Sequence, residues 1–191
     1  VEFMRDVRKT AYTQGKVIYD ADADYGGWWF CCFPYAFVQE NDVLPFFIHC
    51  DDVEYGLRCG KKPIIIEGVQ VWHETYDKRM TPLMQYYDTR NPLFVNQLYG
   101  FLPEPLQLLQ QWKDKMTTFH VKGDWLSEYY VILAMNDFLK GMGWLKRIDA
   151  GKYHKKLQKA KSCRVKNAIC WRLVEHRAKK KFMVHKNNCS G

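Results

Sequence analysis

The sequence lacks any run of about 18 uninterrupted apolar residues, the length a helix needs to cross a bilayer, so it contains no helical membrane span. It also lacks a CxxC pair. Its seven cysteines, Cys31, Cys32, Cys50, Cys59, Cys163, Cys170 and Cys189, are odd in number and irregular in spacing. Neither a zinc ribbon nor a disulfide framework fits that pattern, and free thiols in a reducing compartment are the expectation. The N-terminal VEFMRDVRKT has no initiator Met and no signal-peptide core, so the chain is expected to be part of a longer protein. There is no internal repeat. Acidic residues are almost missing from residues 151 to 191, where 13 Lys and Arg face Glu175 alone. Residues 1 to 150 carry 16 basic and 20 acidic residues, so the formal net charge of +8 belongs to the tail. A basic tail meets phosphates, those of nucleic acid or of an anionic membrane, or is simply a solvated helix face.

What is abundant is aromatic. Of 191 residues, 47% are hydrophobic and 16% are Phe, Trp or Tyr, with 7 Trp and 12 Tyr. The length fits one large domain or two small ones and is enough to bury a core. Large rings fill cores; they also stack on sugars and bases and favour membrane interfaces.

Along the chain, KVIYD at 16 to 20 reads as a short strand and DADADYGG at 20 to 27 as a loop. WWFCCFPYAFV at 28 to 38 is apolar enough to be buried, with Pro34 placed to start a helix. VLPFFIHC at 43 to 50 is β-prone, and DVEYGLRCG reads as a short helix capped by Asp51 or Asp52 and ended by Gly60. KKPIIIEGVQVWHE at 61 to 74 is β-rich, with Gly68 between two strand-like runs. From Met84 three helical stretches follow, and Leu106, Leu109, Trp112, Lys113 and Met116 approximate one helical face.

Four features occur in order: Gly27-Trp28-Trp29, Asp51-Asp52-x-Glu54-Tyr55, Val71-Trp72-His73-Glu74 and Tyr86-Tyr87-x-x-Arg90-Asn91. Each alone has a bland reading: core packing, a helix cap, a structural histidine, an amphipathic turn. Together they match the needs of a direct displacement at a sugar's anomeric carbon. One carboxylate must take the proton of the acceptor hydroxyl. Positive charge, as from a divalent metal, must stabilise the departing diphosphate, and an imidazole on a nearby strand can ligate Mn²⁺ or Mg²⁺. Aromatic rings can orient the acceptor.

The series GWWF, FIHCDDVEYGLR, VQVWHE and YYDTRN resembles glycosyltransferase family two of the GT-A fold, and within it the bacterial galactofuranosyltransferases, over roughly residues 20 to 100. The resemblance implies an inverting, metal-dependent transferase with Asp52 as catalytic base. It implies that Asp51, Trp28 and Trp29 bind the acceptor and that His73 is a metal ligand. Glu54, Tyr87 and Arg90 are further candidate substrate contacts. The family's nucleotide-binding half and its Asp-x-Asp metal motif have no counterpart in the short stretch before Trp28. Asp20-x-Asp22-x-Asp24 matches in letters, but no hydrophobic strand run of the expected length precedes it, and it sits where the family has the loop before the tryptophan pair. The implied donor is a UDP-sugar, UDP-galactofuranose by resemblance, with rhamnose or another hexose as the alternative. The implied acceptor is a glycan or a polyprenyl-diphosphate-linked sugar of cell-surface polysaccharide synthesis.

The competing class is a non-catalytic basic module for anionic lipid or nucleic acid. Nucleic-acid binding favours Lys and Arg interleaved with aromatics, whereas the tail holds only Tyr153, Trp171 and Phe182, which argues against it. The expected architecture is therefore α/β. Residues 1 to 100 form the acceptor-side half of a GT-A domain, and residues 101 to 191 a helical extension with a basic tail. The expected location is cytoplasmic, peripheral on the inner face of the plasma membrane, with residues 152 to 166 and 177 to 186 as lipid contacts and Trp171 and Phe182 as anchors.

Overall fold

A computed structural model describes residues 17–19, 24–66, 71 and 80–188. They form β1 (Val17–Tyr19), α1 (Tyr35–Glu40), α2 (Asp51–Cys59), β2 (Ile64–Ile66), α3 (Met84–Leu98), α4 (Pro105–Val121), α5 (Trp125–Leu139), α6 (Met142–Leu145), α7 (Ala150–Leu157) and α8 (Arg164–Asn188). The chain divides into two compact units, Val1–Leu44 with Cys50–Arg79, and Pro45–His49 with Met80–Gly191. Among the described residues no helix is long and apolar enough to cross a membrane.

This overturns the α/β expectation. The described residues are mainly helical, and their β-structure is one antiparallel ribbon in which Val17 pairs Ile66 and Tyr19 pairs Ile64. The acceptor-side half of a GT-A domain expected over residues 1 to 100 is not what they show. The β-prone run at 43 to 50 fails as a strand for a local reason. Phe47, His49 and Cys50 have φ of 74°, 66° and 63°, which no strand tolerates. The segment's carbonyls are taken by side chains instead: Asn91 Nδ2 donates to Ile48 O at 2.7 Å and His49 O at 2.8 Å, and Arg90 Nη2 to Phe46 O at 2.8 Å.

Helix α2 belongs to the ribbon unit. Its N-cap is Cys50 in a left-handed conformation, with Asp51 and Asp52 inside the first turn rather than capping it. It stops at Gly60, whose left-handed φ of 62° lets its N–H reach Gly56 O and Leu57 O. Tyr55, 3% exposed, gathers Trp28, Phe33 and Phe37 edge-on at centroid distances of 5.4, 4.9 and 4.9 Å. The rest of the 28–38 run is not the buried stretch expected. Trp29, Phe30 and Tyr35 are exposed, and α1 buries no residue.

The helical unit is organised by α5, against which α3, α4 and α8 pack. Helix α5 buries Tyr130, Val131, Ile132, Ala134, Met135 and Phe138, together with the polar Ser127, Glu128 and Asp137, as suits a central helix. Its start is set by Asp124, whose side chain accepts from Ser127 N at 3.1 Å. Phe138 meets Phe94 of α3 at 5.3 Å and Trp112 of α4 at 6.2 Å. On α4 the buried face is Leu108, Leu109, Trp112 and Met116, whereas Leu106 is exposed.

Because three helices converge on Phe138, Phe138→Ala should lower unfolding free energy by about 3–5 kcal/mol. Val165→Ala, at a 69% exposed position of α8, should change it by less than about 0.5 kcal/mol. Urea unfolding followed by tryptophan fluorescence measures both.

Candidate active site

The ribbon unit brings Asp52 together with the Gly27–Trp28 segment. As the second residue of α2, Asp52 is half-buried. Its Oδ1 accepts the Val53 amide at 2.8 Å, and the nearby Trp28 amide also favours the charged carboxylate. A side chain at Gly27 would start 3.8 Å from Asp52 Oδ2, so this stretch of backbone lies directly over the carboxylate. Burial raises the Asp52 pKa above the ordinary carboxylate value; the Val53 amide opposes that, and the Asp51 charge adds to it. The same neighbourhood raises two further groups. Tyr25 is pushed up by burial, then by Asp52 and Cys50, and Cys31 by burial, then by Cys32, Asp52 and Cys59.

The two tryptophans have different surroundings. Trp28 stands in the aromatic cluster at 5.9 Å from Phe33 and 5.4 Å from Tyr55, and its Nε1 is buried with no partner among the described residues. Trp29 is 45% exposed and Phe30 beside it 69%. Asp51 is half-buried in the first turn of α2. Glu54 is 3% exposed and ion-paired to Arg58 Nε at 3.0 Å, while Arg58 also donates to Asp42 O.

Tyr87 and Arg90 belong to the helical unit and are each 1% exposed. The Tyr87 hydroxyl meets His154 Nδ1 at 2.9 Å, and burial pushes its pKa up to about 12. Arg90 donates to Asn91 Oδ1, the Tyr86 hydroxyl and Phe46 O. In the acidic loop, Asp24 is exposed and paired to Lys62 at 2.7 Å; Asp20 and Asp22 lie outside the described residues. His73, with Trp72 and Glu74, also lies outside them. Among the described residues no group of three or more His, Cys, Asp or Glu could hold a metal ion, and the Asp51–Asp52 pair is not a complete ligand set. No disulfide joins the described cysteines.

Two residues that the motif pattern does not single out complete the site, Tyr25 and Gly56. A side chain at Gly56 would place its Cβ 2.6 Å from Tyr25 Cβ, so α2 and the segment leading to Trp28 touch backbone to backbone. The sequence does hold a signal for this: a glycine inside a helix, four residues after Asp52, marks a close approach.

Over 130 residues, 63% of its length, the chain is 34% identical to galactofuranosyltransferase GlfT2 of Mycolicibacterium smegmatis. Over 80 residues, 39% of its length, it is 35% identical to galactofuranosyltransferase GlfT2 of Mycobacterium tuberculosis. These stretches cover 19% and 13% of the two relatives, so the chain spans about a fifth or less of their length. No family model and no solved structure matches the chain. The chain is thus related, over part of its length, to glycosyltransferases.

The raised Asp52 pKa has a sign that can be tested. Between the ordinary carboxylate value and the raised one, the folded protein holds a proton that the unfolded chain has released. Stability therefore falls as pH rises through that window, and the penalty is complete above it. Asp52→Asn cannot ionise and still offers an oxygen to the Val53 amide. The variant should be more stable than the parent at about pH 7, with the gap closing near about pH 3, below both values. Urea titrations at the two pH values decide it, and an equal gap at both would count against the shift.

Proposed function

We propose that this chain carries the catalytic base and acceptor-side residues of an inverting glycosyltransferase. The donor is a nucleotide sugar, UDP-galactofuranose in the first instance, with a rhamnosyl or other hexosyl donor as the alternative. The acceptor is a glycan or polyprenyl-diphosphate-linked sugar in cell-surface polysaccharide synthesis. The observation that carries the reading is Asp52, a half-buried carboxylate held by the Val53 amide under the Gly27–Trp28 backbone, with Trp29, next after Trp28, exposed. The partial likeness to galactofuranosyltransferases supports it.

In this reading Asp52 accepts the proton of the acceptor hydroxyl as that oxygen attacks the anomeric carbon. The bond from that carbon to the donor diphosphate breaks, and the nucleoside diphosphate leaves with the electron pair. Burial helps, because a carboxylate with a raised pKa is a stronger base. Asp51 and the tryptophans orient the acceptor, and Trp29 supplies the accessible ring. Mn²⁺ or Mg²⁺ would neutralise the diphosphate; His73 is proposed as one ligand, with the remaining ligands from residues outside those described.

A second element of the proposal concerns location, on the cytoplasmic face of an anionic membrane. Val165, Ile169 and Leu173, 69%, 56% and 56% exposed, recur at four-residue spacing on α8, with Arg164, Arg172 and Arg177 exposed on the same helix. An exposed apolar strip beside cations is a surface that a lipid interface can take up. Phe182, expected as an anchor, instead packs near Trp112 at 6.4 Å, and Trp171 is half-buried.

In the full-length protein, Asp52→Asn should reduce transfer by about 10²–10⁴-fold with donor affinity nearly unchanged, measured by single-turnover transfer and donor titration. Near-normal turnover would remove the base assignment. Co-sedimentation with anionic but not neutral vesicles, weakening as salt rises, is the expected result for the α8 face. Equal recovery on both vesicle types, or none on either, would remove the membrane role alone.

A further inference from the structure

Asp52 and Gly56 lie four residues apart in α2, one above the other on the same helix face. Gly56 is buried, in the middle of a helix where glycine is intrinsically unfavourable. What occupies the place of its missing side chain is Tyr25, with its Cβ nearest and its Cα behind. A β-carbon at Gly56 would stand 2.6 Å from Tyr25 Cβ, 3.3 Å from Tyr25 Cα and 3.9 Å from Gly26 N. Carbon atoms in contact sit about 3.5–4.0 Å apart, so the segment would have to withdraw by roughly 1 Å. A side-chain rotation cannot relieve the clash, because Cβ is bonded directly to the Tyr25 backbone. Two residues further on, the same segment passes over Asp52, with Gly27 facing Oδ2.

We infer that Gly56 is a positioning residue: its missing side chain lets the Tyr25–Trp28 segment lie against α2, which sets the backbone of Gly27 and Trp28 over the Asp52 carboxylate. The functional consequence rests on the proposed role of Asp52 as base; the packing does not. Gly56 touches no reacting atom. It acts through the segment, fixing which carboxylate edge meets the amides and which is left for an acceptor hydroxyl. A misplacement of about 1 Å at such a group can cost about 10²-fold in rate.

The test uses Gly56→Ala, Tyr25→Gly, the double variant, and Gly60→Ala as control. Gly60 has φ of 62°, and a methyl group there would meet nothing within 4 Å, so its substitution strains the helix end without touching the segment. In the 191-residue chain, NMR follows the Trp28 amide resonance, its hydrogen exchange and the Asp52 carboxyl titration. Gly56→Ala should shift all three, and Gly60→Ala should lower stability yet shift none. Adding Tyr25→Gly to Gly56→Ala removes the 2.6 Å contact and should return all three toward the parent values. In the full-length protein Gly56→Ala should lower kcat about 10²-fold with donor KM unchanged. Parent-like Trp28 and Asp52 signals in Gly56→Ala, or no recovery in the double variant, would overturn the inference. If Gly56→Ala does not fold, recovery of a folded spectrum in the double variant supports it and continued unfolding overturns it. These signals are read without catalysis. Should Asp52→Asn keep its activity, the base assignment falls and the packing result stands; should the signals fail to move while Asp52→Asn is inactive, the reverse holds.

Discussion

A guanidinium keeps its charge at any pH a protein survives, so burying one obliges the surrounding structure to satisfy it. Arg90 is 1% exposed, and the helical unit is arranged around that obligation. Its three nitrogens donate to Asn91 Oδ1, the Tyr86 hydroxyl and Phe46 O. Tyr86 passes the link on, donating at 2.7 Å to Asp137, which is fully buried on α5 and also receives Tyr153 at 2.5 Å and Lys140 at 2.6 Å. Helices α3, α5 and α7 are thereby tied through one buried polar network. Burial drives the Tyr86 and Tyr153 hydroxyls strongly toward their neutral form, keeping them as donors.

The same helix turn fixes the short segment Pro45–His49. Left-handed conformations at Phe47 and His49 cost free energy that a free loop would not bear. Arg90 and Asn91 supply hydrogen bonds to the carbonyls of Phe46, Ile48 and His49, the His49 side chain pairs with Asp88, and Phe47 stacks on His154 at 4.2 Å. By motif, Arg90 and Tyr87 are candidate substrate contacts; in the structure their polar atoms are engaged with the protein itself.

In the ribbon unit the governing constraint is proximity. Tyr55 draws three aromatic rings to one side of α2, and Gly56, the next residue, lets the chain before Trp28 come down on the helix. The result is a carboxylate partly withdrawn from water yet held by amides, a balance in which burial outweighs hydrogen bonding. A surface Asp at a helix start would have the dipole and the amides without the burial, and so would be a weaker base.

Much was legible from local pattern alone. The three helical stretches from Met84 (α3, α4 and α5), α2 with its stop at Gly60, the strand at Val17–Tyr19 and the basic character of the tail follow from periodicity, capping and charge, which act over a few residues. The doublet Asp51–Asp52 and the tryptophan pair could be picked out by order and spacing. Tertiary structure decided the rest. Whether VLPFFIHC became a strand depended on Arg90 and Asn91, more than 40 residues away, competing for its carbonyls. Which tryptophan is covered depended on Tyr55, and what Gly56 is for depended on Tyr25 arriving from another part of the chain. An extended segment and a looped one have the same local propensities; what separates them is the partner that satisfies their backbone, and that partner is set by the fold.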